Sequence, residues 1–228
     1  MQNSRIFLIV RAYNEASVLP STLELLQSLG YSIIVVDDGS TDETQAVAEQ
    51  FPVHYLRHPV NLGPGAALQT GISYAVAKRA DVIVTFDADG QHPASQIPAL
   101  IAPILAGSCE VTLGSRFLNA ADLELVPWSK RMVLRIGRIV SGLTAGVWLT
   151  DTHNGFRAFS QKAAEQLDLR ETGFAYATEL LDQLRKKRLS YQEVPSTIRY
   201  SEYSRQKGQK ISNSFNIVWD LILRRVLK

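Results

Sequence analysis

The chain runs to 228 residues yet holds one cysteine, two methionines and three tryptophans. A lone Cys109 excludes an intramolecular disulfide and fits a reducing compartment. Long apolar runs are also scarce. The first, residues 6–10, is too short for a signal peptide and is flanked by Arg5 and Arg11. The best spanning candidate, residues 132–149, is broken by Arg135 and Arg138, and a C-terminal one by Asp220, so no transmembrane helix is expected. Internal repeats, low-complexity segments and linkers are missing, which points to one domain. Net charge is only +2, but it is unevenly spread. Residues 1–125 carry 6 Lys/Arg against 13 Asp/Glu, whereas residues 126–228 carry 18 against 9. An acidic half suits a metal ion and a basic half suits phosphate or lipid headgroups. No nucleic-acid-binding motif accompanies the basic residues, and no nucleic-acid partner is expected.

With 46% hydrophobic residues the chain can bury a sizeable core. β-Branched runs at 6–10, 32–36, 53–56, 82–86 and 111–114 read as strands, and 18–29, 43–50, 64–79 and 95–106 as helices between them. Such alternation predicts an α/β fold with a mostly parallel sheet flanked by helices. Pro64 suits the first turn of its helix, and Ser40 or Thr41 is placed to cap the helix that begins near Asp42. Further on, residues 130–148 set Val133, Ile136, Val140, Leu143 and Val147 on one helical face and Arg131, Arg135 and Arg138 on the other. Those cations read either as a solvated face or as an anion site. Residues 212–228 form a second amphipathic pattern, with Arg224, Arg225 and Lys228 near its end. It closes the core or lies at a membrane surface.

The strand at 82–86 delivers Asp87, Asp89, Gln91 and His92 within six positions, with Gly90 and Pro93 bending the chain. Two carboxylates this close repel unless a cation or other donors offset them. Hard divalent ions take carboxylate and amide oxygens and leave room for phosphate oxygens. The segment therefore reads as a metal–diphosphate site at the carboxyl end of a strand, although Asp-x-Asp alone is equally a solvated, capped turn. Earlier strands end in Arg11-Ala12-Tyr13-Asn14-Glu15 and in Asp37-Asp38-Gly39-Ser40-Thr41-Asp42, polar loops that belong on the same sheet edge. Gly63-Pro64-Gly65 opens a helix whose glycines permit close backbone approach.

In this order, residues 6 to about 210 resemble family-two glycosyltransferases of the GT-A nucleotide-sugar-binding fold. Residues 36–44 and 87–93, Gly114-Ser115-Arg116-Phe117 and Asp151-Thr152-His153-Asn154-Gly155-Phe156-Arg157 are most similar to the branch of dolichyl-phosphate mannose synthases and polyprenyl-phosphate sugar transferases. The resemblance implies a nucleotide pocket from Ala12, Tyr13, Glu15, Asp37, Asp38 and Asp87, closed by Lys210 in a basic loop that begins at Gln206. It implies Mg²⁺ or Mn²⁺ at Asp87, Asp89 and Gln91, and cations near the reacting phosphates at Arg116 and Arg131. Arg131, Arg135 and Arg157 fall to the acceptor, and Asp151 flanks it. Two positions depart from the pattern: Arg11 stands where a proline is usual, and Asn154 where a small residue is common.

The expected layout is a transferase domain at 1–210, with metal and nucleotide in 1–125 and acceptor in 126–210, followed by an amphipathic helix at 211–228. The expected reaction moves a hexosyl group, with inversion, from a GDP- or UDP-sugar to a polyprenyl phosphate. A phosphate monoester is largely ionised above its second pKa of about 6 and needs no base. An alcohol acceptor, such as a hydroxyl of a glycan or lipid-linked saccharide, would need a carboxylate, with Asp151 as first candidate and Glu179 as second. Asp151 also reads as a loop cap or a partner for Arg157, and Glu179 as a surface residue. His92 and His153 read as site-shaping residues. A non-catalytic nucleotide-sugar-binding protein is the reading from another class. Relatives that extend into membrane helices contrast with an end at Lys228, so docking at the cytoplasmic membrane face is expected to be peripheral or through a partner protein.

Overall fold

A computed structural model describes residues 4–118, 149–151 and 154–198. Within them, β1 (Ile6–Ala12), β2 (Ser32–Asp37), β3 (His54–Arg57), β4 (Val82–Asp87) and β5 (Val111–Ser115) alternate with α1 (Leu19–Gln27), α2 (Thr44–Ala48), α3 (Pro64–Ala77) and α4 (Ile97–Leu105). A 3-10 turn at Ala94–Gln96 leads into α4. Then come β6 (Arg157–Ser160), α5 (Gln161–Gln166), α6 (Tyr176–Lys186) and β7 (Tyr191–Pro195). The expected helix at 130–148, the basic loop from Gln206 and the amphipathic segment at 212–228 lie outside the described residues. Among the described residues no helix is long and apolar enough to cross a membrane.

The seven strands form one sheet in the order β3-β2-β1-β4-β6-β5-β7. β1 sits between β2 and β4, parallel to both, and β6 is antiparallel to β4 and β5. The strands expected from the sequence are all present; four run one or two residues further, and β3 is shifted one residue on. β1 continues through Arg11 and Ala12 because Val36 and Asp37 of β2 keep pairing with it. β6 and β7 have no counterpart in the sequence reading. β6 is four residues long and begins on a buried arginine. β7 is a polar edge strand that ends on Pro195, a residue an edge tolerates.

Alternate residues of β1 feed two cores, which is why its apolar run is unbroken. Phe7 and Ile9 pack with Leu68 and Ile72 of α3 and Leu180 and Leu184 of α6. Leu8 and Val10 pack with Leu19 and Leu23 of α1 and Ile97 and Leu100 of α4. Each such side chain contributes about 1.5–3 kcal/mol on burial. The expected helix 43–50 shrinks to α2, and its cap is neither Ser40 nor Thr41. Asp42 Oδ1 accepts from the Thr44 backbone N–H instead, while Ser40 Oγ accepts from Asn14 N–H and ties the first two loops together.

The chain turns back between β1 and β4, where a parallel sheet opens a crevice at its carboxyl edge. Pairing sets Ala12 beside Asp37 and Arg11 beside Asp87 at that edge. One wall is closed by contact between the start of α3 and residues 171–176. Gly65 N–H donates to Thr172 O at 2.7 Å, and a Cβ on Gly65 would lie 2.0 Å from Glu171 O. Gly65→Ala should therefore cost about 1–3 kcal/mol of stability, read as a lower melting temperature. An unchanged value would show that this wall yields freely.

Candidate functional site

The acidic turn follows β4 directly. Asp89 Oδ1 accepts from Gln91 N–H at 3.1 Å and Oδ2 from Gln91 Nε2 at 2.7 Å, so the amide faces the carboxylate with its donor end. Burial, with the charge of Asp87 adding to it, pushes Asp89 up to about 6. Asp87 goes the other way. Burial alone would raise it, but the Arg11 guanidinium in contact, with His92 and Arg157 near, outweighs that and holds the carboxyl below its ordinary range. His92 is buried against Phe156, stacked at 5.0 Å between ring centres, with the edge of Phe86 at 6.2 Å.

The donor set was expected to suit Mg²⁺ or Mn²⁺. Among the described residues no group of three or more His, Cys, Asp or Glu side chains is placed to hold a metal ion by itself. Two carboxylates and an amide oxygen are instead what an open oxygen site offers to an ion that keeps water and phosphate ligands. Asp89 takes its hydrogen bonds from Gln91 alone and pairs with no cation among the described residues. On both counts these residues fit a hard divalent ion.

Asp37 and Asp38 sit next to the site, but their oxygens are bound within the protein. Asp37, 0% exposed, accepts from Ser40 N–H at 2.8 Å and from the Tyr55 hydroxyl at 2.6 Å. Asp38 accepts from Leu62 N–H and Gly63 N–H at 2.9 and 2.8 Å, and its Oδ1 lies 2.7 Å from His58 Nδ1. Asp38 thereby fixes the entry to α3, while its own N–H donates to Ala12 O. Glu15 N–H donates to Thr44 Oγ1, fastening the first loop to α2. Tyr13 is 42% exposed and is the side chain of this group that faces solvent most openly.

Arg116, just beyond β5, forms a two-pronged pair with Asp151. Its Nε lies 2.5 Å from Oδ2 and its Nη2 2.6 Å from Oδ1, and its backbone N–H also donates to Oδ2. Asp151 thus partners Arg116, whereas the sequence offered a loop cap or a pairing with Arg157 among its roles. Asp151 is itself held by Glu193 of β7, whose Oε1 accepts from Thr150 N–H, Thr150 Oγ1 and Asp151 N–H at 2.8, 2.7 and 3.2 Å. Arg157 is buried and donates through Nε to Asn154 O. Asn154 spans Ser196 Oγ and Phe156 N–H and shapes the inner wall. Glu179 is spent on structure: it accepts from the backbone N–H groups of Arg170 and Glu171.

The fold therefore gathers Ala12, Tyr13, Glu15, Asp37, Asp38, Asp87, Asp89 and Gln91 around the β1–β4 crevice. His92 lies within electrostatic range of both Asp87 and the Arg116–Asp151 pair, linking the two groups. Arg131, Arg135, Arg138, His153 and Lys210 lie outside the described residues. Sequence reasoning missed Arg11, Tyr176 and Glu193. Only Arg11 carried a signal, a charge at the end of an apolar strand where proline was the expectation.

Residues 7–168 match the model of the family described as Glycosyl transferase family 2. The chain is 33% identical over 248 residues to the UDP-N-acetylglucosamine--dolichyl-phosphate N-acetylglucosaminyltransferase of Methanococcus voltae, covering 100% of this chain and 99% of that one. It is 31% identical to the dolichol-phosphate mannosyltransferase of Pyrococcus furiosus over 96% of this chain and 64% of that protein. In structure it is similar to glucosyl-3-phosphoglycerate synthase from Mycobacterium tuberculosis, solved with Mn²⁺, uridine diphosphate and glucosyl-3-phosphoglycerate. That match has a TM-score of 0.69 at 19% identity, covers 97% of this chain and 80% of the other, and bears out the expected α/β architecture.

The Glu193 contacts yield a direct test. Glu193→Ala should cost about 1.5–3 kcal/mol, the usual worth of hydrogen bonds to a charged group, and should speed amide hydrogen exchange at Thr150 and Asp151. Glu193→Gln, which keeps an acceptor oxygen, should recover most of both. Unchanged exchange in the alanine variant would refute this anchoring role.

Proposed function

The chain belongs to glycosyl transferase family 2, and from that premise we propose that it moves a hexose from a GDP- or UDP-sugar to a polyprenyl phosphate. That it is a glycosyltransferase follows from the family. The donor half of the proposal is carried by one observation: the acidic turn, a hard-oxygen donor set, stands at the crevice where the sheet order reverses. The acceptor half is supported by a relative of matching length named for a dolichyl-phosphate substrate.

The sugar's anomeric carbon loses its bond to the departing diphosphate as an acceptor phosphate oxygen bonds from the opposite face. Charge builds on the leaving group while the sugar becomes oxocarbenium-like, as in glycoside cleavage. Asp89 and Gln91, with Asp87 behind them, would hold Mg²⁺ or Mn²⁺, which when bound neutralises diphosphate charge. Arg116, oriented by Asp151, stands to stabilise the same developing charge. With Asp151 committed to Arg116, the site has little use for it as a base, which favours an already ionised phosphate acceptor over an alcohol. Lys210 would close over the donor, and Arg131, Arg135 and Arg157 would position the acceptor. A transferase domain at 1–210 and a membrane-surface helix at 211–228 complete the proposal, with docking at the cytoplasmic face, directly or through a membrane protein.

The test is an assay of purified protein with Mn²⁺ or Mg²⁺, a panel of GDP- and UDP-sugars, and polyprenyl phosphate beside the free polyprenol. Transfer to the phosphate alone is expected; transfer to alcohols alone would overturn the acceptor assignment. Asp89→Ala should lower turnover at least about a hundredfold, or roughly 2.7 kcal/mol of transition-state stabilisation. Near-normal turnover in that variant would remove Asp89 from the mechanism.

A further inference from the structure

Arg11 belongs to no expected site, yet four parts of the fold converge on it. From β1 its guanidinium contacts Asp87 Oδ1 at the end of β4, and it donates to the Tyr176 hydroxyl of α6 at 2.8 Å and to Pro64 O of α3 at 3.4 Å. The guanidinium carbon also lies 5.4 Å from the centre of the Tyr176 ring. The side chain is 10% exposed, and its Nε has no hydrogen-bond partner among the described residues. Room for the pair is made by Gly155, where a Cβ would fall 2.8 Å from Asp87 Oδ2 and 3.4 Å from Arg11 Nη2. A buried ion pair with an orphaned donor is a poor way to gain stability, since apolar packing does as well or better. A charge kept there points to a task at the site.

We propose that Arg11 is the built-in counter-charge of the acidic turn: it takes Asp87 as its partner, leaves Asp89 and Gln91 to capture the divalent cation, and makes that capture depend on an arriving nucleoside diphosphate. The proposal rests on the donor reading given above. Asp89 is bound only by its own turn, through Gln91, and no cation among the described residues pairs with it. With Arg11 in place the two carboxylates present a net charge near −1 rather than −2 to a metal ion. Free cation is then held weakly. A diphosphate restores the missing negative charge and supplies further oxygen ligands, so cation and nucleotide bind together. Arg157 and His92 also lie near Asp87, but Arg11 is the group in contact with it.

The test needs no acceptor and no turnover. Mn²⁺ binding is followed by the electron paramagnetic resonance signal of the unbound ion, with the whole chain, alone and with UDP or GDP. Wild-type protein should hold Mn²⁺ weakly alone and at least about tenfold more tightly with nucleotide. Arg11→Met, checked for folding by thermal melting, should bind Mn²⁺ alone at least about tenfold more tightly than wild type, and Arg11→Lys should stay within about threefold of it. Unchanged or weaker Mn²⁺ binding in folded Arg11→Met overturns the proposal. A second comparison does not depend on that variant folding. Asp89→Asn should weaken nucleotide-supported Mn²⁺ binding at least about fivefold more than Asp87→Asn, and equal losses would also overturn it. Failure of both UDP and GDP to bind with Mn²⁺ present would instead sink the donor reading, an outcome read from the wild-type protein alone.

Discussion

Four aspartates stand at the carboxyl edge of one parallel sheet, and the need to give each largely buried carboxylate a partner is the constraint around which the rest of the site is arranged. Asp37 is offset by Tyr55 and a turn N–H, Asp38 by His58 and two backbone N–H groups, and Asp87 by Arg11. Each solution also ties one loop to another. Asp89 is the exception, with its pKa pushed up to about 6 by burial and by Asp87. An edge that satisfies its carboxylates one by one and leaves the last short of positive charge is prepared for a cation from outside. Function here is the unfinished part of an otherwise closed electrostatic account.

The scaffold that imposes this crowding is apolar. Parallel pairing of β1 with β2 and β4 places Arg11 level with Asp87 and Ala12 level with Asp37. Both faces of these strands are buried, so a one-residue slip would exchange the two cores. Register is therefore fixed by packing far from the site, and the polar residues at the strand ends inherit their positions. On the other side of β4, antiparallel β6 brings Gly155 against Asp87, and β7 supplies Glu193 to hold the Asp151 loop.

Much of this was legible from residue order. Five strands, four helices and the acidic turn follow from apolar runs punctuated by Gly, Pro and Asp, and Pro64 opens its helix as read. The mixed character of the sheet was not legible, because β6 is short and β7 is polar, and neither carries a periodic signal. Nor was the choice of Asp42 to accept from the Thr44 N–H ahead of α2, since three polar residues in a row are equivalent until the backbone is placed. The resemblance assigns Asp37 and Asp38 to the nucleoside pocket; that their oxygens also meet Tyr55, Ser40, His58 and the Leu62–Gly63 backbone was not legible from residue order.

By itself the sequence determined the chemistry on offer: an α/β scaffold, hard oxygen donors at one strand end, and arginines in the motifs that follow. These are properties of residue type and short spacing, which survive without coordinates. Which charge meets which was decided only by tertiary structure. Arg11 and Asp87 are 76 residues apart and Arg116 and Asp151 are 35 apart, and no local pattern records such pairings. They arise because strand register and sheet order bring distant segments to one edge, where a low dielectric makes every unmatched charge costly.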